Sequence, residues 1–166
     1  MTAVEMTKTG GPEVMALVDR PLPPPADGEV RLRQTAIGLN FIDIYHRTGL
    51  YPVPLPSGLG LEAAGVVEAV GPGVTTLKPG DRVAYGNGPI GAYARNIAAS
   101  KLSKLPAAIS DETAAAMMLK GMTARYLIRE VFKVGKGHRI LAHAAAGGVG
   151  TILCQWASAL GAEVIG

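Results

Sequence analysis

The chain has 166 residues, 48% of them apolar and 17% charged, which suits a folded globular protein and excludes a disordered one. That length holds one sizeable domain, or a domain and part of another. The net charge of +3 comes from scattered lysines and arginines rather than a basic patch, which argues against a nucleic-acid partner, and the single cysteine, Cys154, excludes an intramolecular disulfide and any multi-cysteine zinc site. No run approaches the ~18 apolar residues of a membrane helix, and residues 1–8 lack the apolar core of a secretory signal, so a soluble protein of the cytoplasm is expected.

Residues 1–120 read as β-rich, with many turns. Ala3–Met6 and Val14–Val18 are expected strands on either side of a Gly10-Gly11-Pro12 turn. Pro21–Pro25 is a stiff extended connection, and Asp27-Gly28 turns the chain into Glu29–Ile37. There Val30 and Leu32 alternate with Arg31 and Arg33, as on a half-buried strand. Phe41, Ile44 and Tyr45 suit a short helix stopped by Gly49, and Tyr51–Pro56 is a proline-rich loop. Glu62–Gly71 fits helix or strand by propensity, but Val66-Val67 between glycines favours strand. Lys78-Pro79-Gly80-Asp81 is a turn before a strand at Arg82–Tyr85, and Ala92–Ala99 is a further strand. Short strands joined by Gly and Pro turns predict a small barrel.

After Leu105-Pro106 the pattern becomes helical. Ser110-Asp111-Glu112-Thr113 caps a helix running to Leu119, and a second helix over Met122–Phe132 places Tyr126, Leu127 and Val131 at helical spacing. The chain then reads Arg139–His143 as a buried parallel strand, Ala144–Gly150 as a glycine-rich turn, Val149–Leu160 as a helix stopped by Gly161, and Val164-Ile165 as a second strand. This order is the first βαβ unit of a dinucleotide-binding fold. Free N–H groups and the helix dipole at the start of such a helix favour a pyrophosphate. A Cβ at Gly147 would hold the phosphates off the backbone, and Gly150 would let the helix pack close to the strand. Against the usual G-x-G-x-x-G, Ala145 stands in the first glycine's place, and a purely structural turn is the competing reading.

Several motifs carry a family resemblance. Gly60-Leu61-Glu62-Ala63-Ala64-Gly65 with Gly71, and Lys78–Val83, resemble signatures of the medium-chain dehydrogenases/reductases. Gly38–Asp43, Leu119–Ala124 and His143–Gly150 resemble one branch, the quinone oxidoreductases related to zeta-crystallin, and the likeness covers essentially the whole chain. It implies a mixed β and α/β protein: a GroES-like β-barrel catalytic domain over residues 1–118, then the first βαβ unit of a Rossmann domain over 119–166. It also implies NADPH bound in a cleft between domains, hydride transfer to a quinone, and a homodimer. The deciding residues for NAD against NADP lie at or beyond Gly166. By the same resemblance the chain is expected to be an N-terminal fragment, inactive alone.

Zinc alcohol dehydrogenases resemble this chain but place zinc ligands where Asn40, Leu61 and Leu119 stand. Leucine cannot coordinate zinc and an amide is a poor ligand, so no metal is expected. Similar proteins set Asn40, Tyr45 and Thr123 at the nicotinamide and the substrate. The resemblance implies these three as catalytic residues, with Asn40, Thr123, Ala145, Gly147, Gly148, Val149 and Gly150 on the cofactor. Asn40 can donate to a developing oxyanion and Tyr45 can donate a proton. Helix capping by Asn40 or Thr123, and packing of the Tyr45 ring, are the plain alternatives. His143 reads as structural, and His46 and His138 as surface residues. An enone or alkenal reductase and a non-enzymatic crystallin-like cofactor binder are the competing functions.

Overall fold

The computed structural model describes residues 2–92 and 96–166. It contains two compact units, Met1–Ala116 and Met117–Gly166.

In the first unit, β1 (Thr2–Met6) and β2 (Met15–Asp19) pair antiparallel, joined through a single 3-10 turn at Pro12–Val14. The main sheet has five strands: β3 (Glu29–Gly38), β4 (Glu62–Val70), β5 (Arg82–Tyr85), β6 (Asn96–Ala98) and β7 (Ser103–Lys104), in the order β6-β3-β4-β5-β7. Its core is Val30 and Leu32 of β3 with Ala63, Val67, Val83, Tyr85 and Ile97. The alternation on β3 is therefore the expected one, with Arg31 and Arg33 turned to Glu68 at 3.8 and 3.6 Å. Two register shifts, at Arg31/Leu32 and Gln34/Ala36, bend β3 and curl the sheet. Among the described residues the sheet stays open between β6 and β7, a curled half-barrel rather than a closed barrel. β4 is strand, as its paired valines favour, and small residues occupy its buried centre because neighbouring backbone leaves no room. A Cβ built on Gly65 would lie 2.4 Å from the Arg33 carbonyl oxygen.

The expected strand Ala92–Ala99 is shorter. Ala92 sits in a turn, Ala99 opens a 3-10 turn, and residues 93–95 lie outside the described set. The helix expected after Asn40 is α1 (Phe41–Thr48), closed by Gly49 at φ +83°.

Two expected helices prove to be one. α2 spans Asp111–Arg125 without a break at Gly121, and a π-helical turn, Tyr126–Val131, continues it. Ser110 caps α2 as anticipated, its Oγ accepting from the Thr113 N–H at 3.1 Å. Glycine in a helix interior costs only about 1 kcal/mol, which burial of Ala124 offsets. The π turn, with the Phe132 N–H donating to the Leu127 carbonyl, rotates the side chains that follow. Ile128 is buried, whereas Tyr126, Leu127 and Val131 are exposed, so helical spacing had selected the wrong face.

In the second unit β8 (Arg139–Leu141) and β9 (Glu163–Ile165) pair parallel, linked by α3 (Gly148–Ala159). Ile128, Val134 and Ala157 form its core, with Ile140, Leu153, Trp156 and Val164 packed around them. Gly161 ends α3 at φ +83°. β8 closes at Leu141, so His143 belongs to the following turn and is exposed, not the last residue of the strand. No helix among the described residues is long and apolar enough to cross a membrane.

Candidate functional site

The glycine-rich turn leaves β8 and delivers the chain to the start of α3. Ala144 takes a left-handed conformation, φ +55°, which turns the chain sharply at some cost for a residue with a Cβ. The Gly147 N–H donates to the Ala144 carbonyl at 2.9 Å, closing the loop on itself. Gly147 is the N-cap of α3 and offers no side chain to the first turn, while Thr151 N–H and Oγ both return to the Gly147 carbonyl at 2.8 Å. The amides of Gly148, Val149 and Gly150 begin the helix, where no intrahelical carbonyl can reach them. Gly147 and Gly148 are exposed. This donor set, at the positive end of a helix and unscreened by a capping side chain, fits the pyrophosphate of a dinucleotide.

The two glycines read as functional differ. A Cβ on Gly150 would lie 2.2 Å from the Ala144 carbonyl oxygen and 2.8 Å from Ala145, so the residue makes room for the turn itself rather than for the strand. A Cβ on Gly147 would meet that same oxygen at 3.1 Å and the Ala144 Cβ at 4.0 Å. In the same unit a cavity of about 590 Å³ is walled by Phe132, Ile140, Ala144, Gly147, Val149 and Leu153.

The first unit holds Asn40 and Tyr45. Asn40 occupies the N-cap of α1, and its backbone N–H donates to Asp43 Oδ2 at 2.9 Å. Its side-chain Nδ2 donates to Glu62 Oε2 at 2.7 Å. Glu62 opens β4 and is fully buried. Asn40 thus combines the capping position with a side-chain contact outside its helix. Tyr45 is half-buried on α1, its ring 5.9 Å from that of Phe41 and 5.2 Å from that of Tyr51. Tyr51 folds back because its N–H donates to the Tyr45 carbonyl at 3.1 Å. His46, read as a surface residue, is instead buried, 6.4 Å from the Tyr51 ring, with no hydrogen-bond partner at Nδ1.

Thr123 lies inside α2 and is exposed; its hydroxyl donates to the Leu119 carbonyl at 3.0 Å, so it caps no second helix. The hydroxyl keeps its acceptor lone pairs. Among the described residues no three His, Cys, Asp or Glu side chains gather around a point that one metal ion could occupy. At the start of α2, Asp111 Oδ1 accepts from Arg82 Nε at 3.0 Å and a terminal guanidinium nitrogen at 2.6 Å, and Oδ2 accepts from Thr35 at 2.5 Å. The Thr35 hydrogen bond first, then Arg82, hold its carboxyl below the ordinary carboxylate range.

The motif Gly60–Gly65 contains Glu62, but nothing in the sequence pattern marks it as the partner of Asn40. Nor does the pattern mark Gly38, which faces Glu62 across the β3–β4 ladder. For Glu62 itself the signal was available in the acidic residue of Gly60–Gly65, a charge followed at once by the small apolar residues Ala63 and Ala64.

A curled antiparallel sheet followed by a parallel strand, glycine turn, helix and strand defines a medium-chain dehydrogenase/reductase arrangement. Comparison with known proteins agrees. The alcohol dehydrogenase GroES-like domain matches residues 26–136. Quinone oxidoreductase of Pseudomonas aeruginosa is 55% identical over 98% of this chain and 51% of its own length. The crystal structure of Escherichia coli quinone oxidoreductase complexed with NADPH superimposes with a TM-score of 0.95 at 53% identity, covering 99% of this chain and 51% of that one. A 2-haloacrylate reductase from a Burkholderia species is 48% identical over 99% of this chain and 52% of its own. The chain belongs to the alcohol dehydrogenase GroES-like domain family. It spans about half the length of the curated relatives it matches.

Proposed function

We propose that this protein serves a zinc-independent oxidoreductase reaction in which NADPH reduces a quinone. The observation that carries the reading is the start of α3: three consecutive amides without intrahelical acceptors and a side-chain-free N-cap, directly behind a parallel strand. The relative solved with NADPH supports the choice of cofactor. When bound, NADPH supplies a hydride, and reduction of the quinone to the hydroquinone then needs one further proton.

In this reading the amides of Gly148, Val149 and Gly150 hold the pyrophosphate, with Ala145 and Gly147 shaping the turn. Residues 119–166 form the cofactor-binding part and residues 1–118 the acceptor-binding part. Asn40 and Thr123 orient the nicotinamide end, and the Tyr45 hydroxyl donates to the quinone oxygen as negative charge develops there. A quinone is already electrophilic, so orientation supplies most of what a Lewis acid supplies elsewhere. A homodimer and a cytoplasmic setting belong to the same reading.

A second reading, reduction of an activated carbon–carbon double bond, is favoured by the likeness to 2-haloacrylate reductase. It shares the hydride chemistry and the turn. NADPH oxidation by the purified protein, followed with a panel of quinones and enones, separates the two. Turnover confined to enones would select the second reading. NADPH binding without turnover of any acceptor would select a cofactor-binding protein of the crystallin kind only for a protein of its relatives' full length, because this chain alone is expected to be inactive.

A further inference from the structure

We infer that Glu62 is a positioning residue: its buried carboxylate sets the orientation of the Asn40 side-chain amide. The inference deepens the proposed function, since it rests on Asn40 being part of that site.

A fully buried carboxylate is costly unless its oxygens are hydrogen-bonded. An apolar residue of similar size would avoid that cost at the buried start of β4. The Asn40 amide is among the groups that compensate it, at 2.7 Å, within the range of charge-assisted hydrogen bonds.

An ionised carboxylate only accepts, so only the NH₂ end of an asparagine amide can face it. Glu62 therefore fixes the NH₂ end of Asn40, while the capping box, in which the Asn40 side chain accepts from the Asp43 N–H, holds the opposite end. One Asn40 N–H is committed to Oε2. The second N–H and the carbonyl oxygen are then held in known positions relative to it, because the amide is planar.

The surroundings preserve this contact. Gly38 pairs with Glu62 in the β3–β4 ladder. A Cβ on Gly38 would lie 2.4 Å from Oε2, 2.8 Å from the carboxyl carbon and 2.2 Å from the Ala115 carbonyl oxygen. The last residue of β3 thus leaves open the space that the carboxylate fills. The Asn40 main chain is fixed independently, by its N–H on Asp43 Oδ2 at 2.9 Å and its carbonyl accepting from the Asp43 N–H at 3.0 Å. Backbone and side chain are each tied down, as a group that must present one face to a ligand requires.

The test uses side-chain amide signals in ¹⁵N-labelled protein. Asn40, Asn87 and Asn96 are the only asparagines, so the spectrum is simple. In the wild type one Asn40 side-chain proton should resonate downfield and exchange with water far more slowly than the pair of exposed Asn87. In Glu62→Gln that protection should disappear, because glutamine can present either end. Exchange of both Asn40 protons at the Asn87 rate in the wild type would overturn the inference, and this measurement needs no variant to fold. Turnover of NADPH with quinone gives a second readout. Glu62→Gln should lower kcat about tenfold or more while the quinone KM stays within about twofold. A purely structural Glu62 would lower the unfolding midpoint and leave kcat of the folded fraction unchanged, which would also overturn the inference. If this chain alone reduces no acceptor, as is expected of a fragment, the amide signals still decide the role of Glu62.

Discussion

Substituting alanine at Gly150 and at Gly147 separates a glycine needed by the turn from one needed by a ligand. At Gly150 the new Cβ would stand 2.2 Å from the Ala144 carbonyl oxygen, and no real Cβ sits closer than about 3.0 Å. Relief requires the turn to open by roughly 1 Å, and overpacking of this kind costs about 1–3 kcal/mol. Alanine regains about 0.5–1 kcal/mol of helix propensity, so the expected net loss lies between just above zero and about 2.5 kcal/mol. At Gly147, φ is −75° and the Cβ would meet the same oxygen at 3.1 Å, a contact that a few tenths of an ångström relieves. The loss there should stay below about 1 kcal/mol, mostly the poorer N-cap. Trp156, the only tryptophan, packs in the core of the second unit and reports its unfolding by fluorescence in urea. NADPH titration should show the reverse order per unit of stability lost, with Gly147→Ala weakening binding about tenfold although it barely shifts the midpoint. An unchanged or higher midpoint for Gly150→Ala would refute the crowding argument. Unchanged NADPH affinity in Gly147→Ala would refute the phosphate role of the turn.

Three other outcomes are expected. Gly121→Ala should raise the urea midpoint by about 0.5–1 kcal/mol of stability, because Gly121 lies inside continuous α2 and a Cβ there meets only Met117 Cε at 3.6 Å. Asp111→Asn should cost about 2 kcal/mol at neutral pH through its bonds to Arg82 and Thr35. The folded Asp111 carboxyl titrates below its ordinary value, so that stabilisation is complete above about pH 4 and is lost as pH falls through the folded value; urea midpoints of wild type and variant should converge once the pH lies below that value. Elemental analysis after chelator washing should find no stoichiometric zinc, given Asn40, Leu61 and Leu119 at the ligand positions of zinc-dependent relatives, and retained stoichiometric zinc would contradict this.

Much of the fold was legible where one rule decided the outcome. Alternation on β3 announced its buried face because Val30 and Leu32 enter a core that Arg31 and Arg33 cannot. Gly49 and Gly161 announced helix ends because both take positive φ. The strand–turn–helix–strand order was legible because a parallel pair needs a crossover helix. The failures came where local rules compete. Gly121 looks like a helix break, yet its cost is small against the burial of Ala124 and Ile128 in the turns that follow it. The π turn after Arg125 then shifts the face that follows, and a period of 3.6 cannot anticipate an inserted residue.

The site divides along a similar line. The glycine-rich turn could be read directly because its geometry is main-chain geometry. Amides at a helix start and glycines that keep Cβ atoms away lie within a few residues of one another. Asn40 could be found as a polar residue before a helix, but its partner Glu62 lies 22 residues further on and on another element. Gly38 and Glu62 each read as ordinary punctuation, one ending a strand and the other beginning the next. Only the ladder register, which sets them opposite each other, joins the empty space of the glycine to the carboxylate that fills it. Tyr45 illustrates the remaining gap. Its place between Phe41 and Tyr51 depends on the loop after Gly49 folding back onto α1, a contact made by the Tyr51 backbone rather than by any side chain that a motif records. Residues that act through the main chain are therefore visible in a local pattern, and residues that act through a distant partner become visible once the sheet register is known.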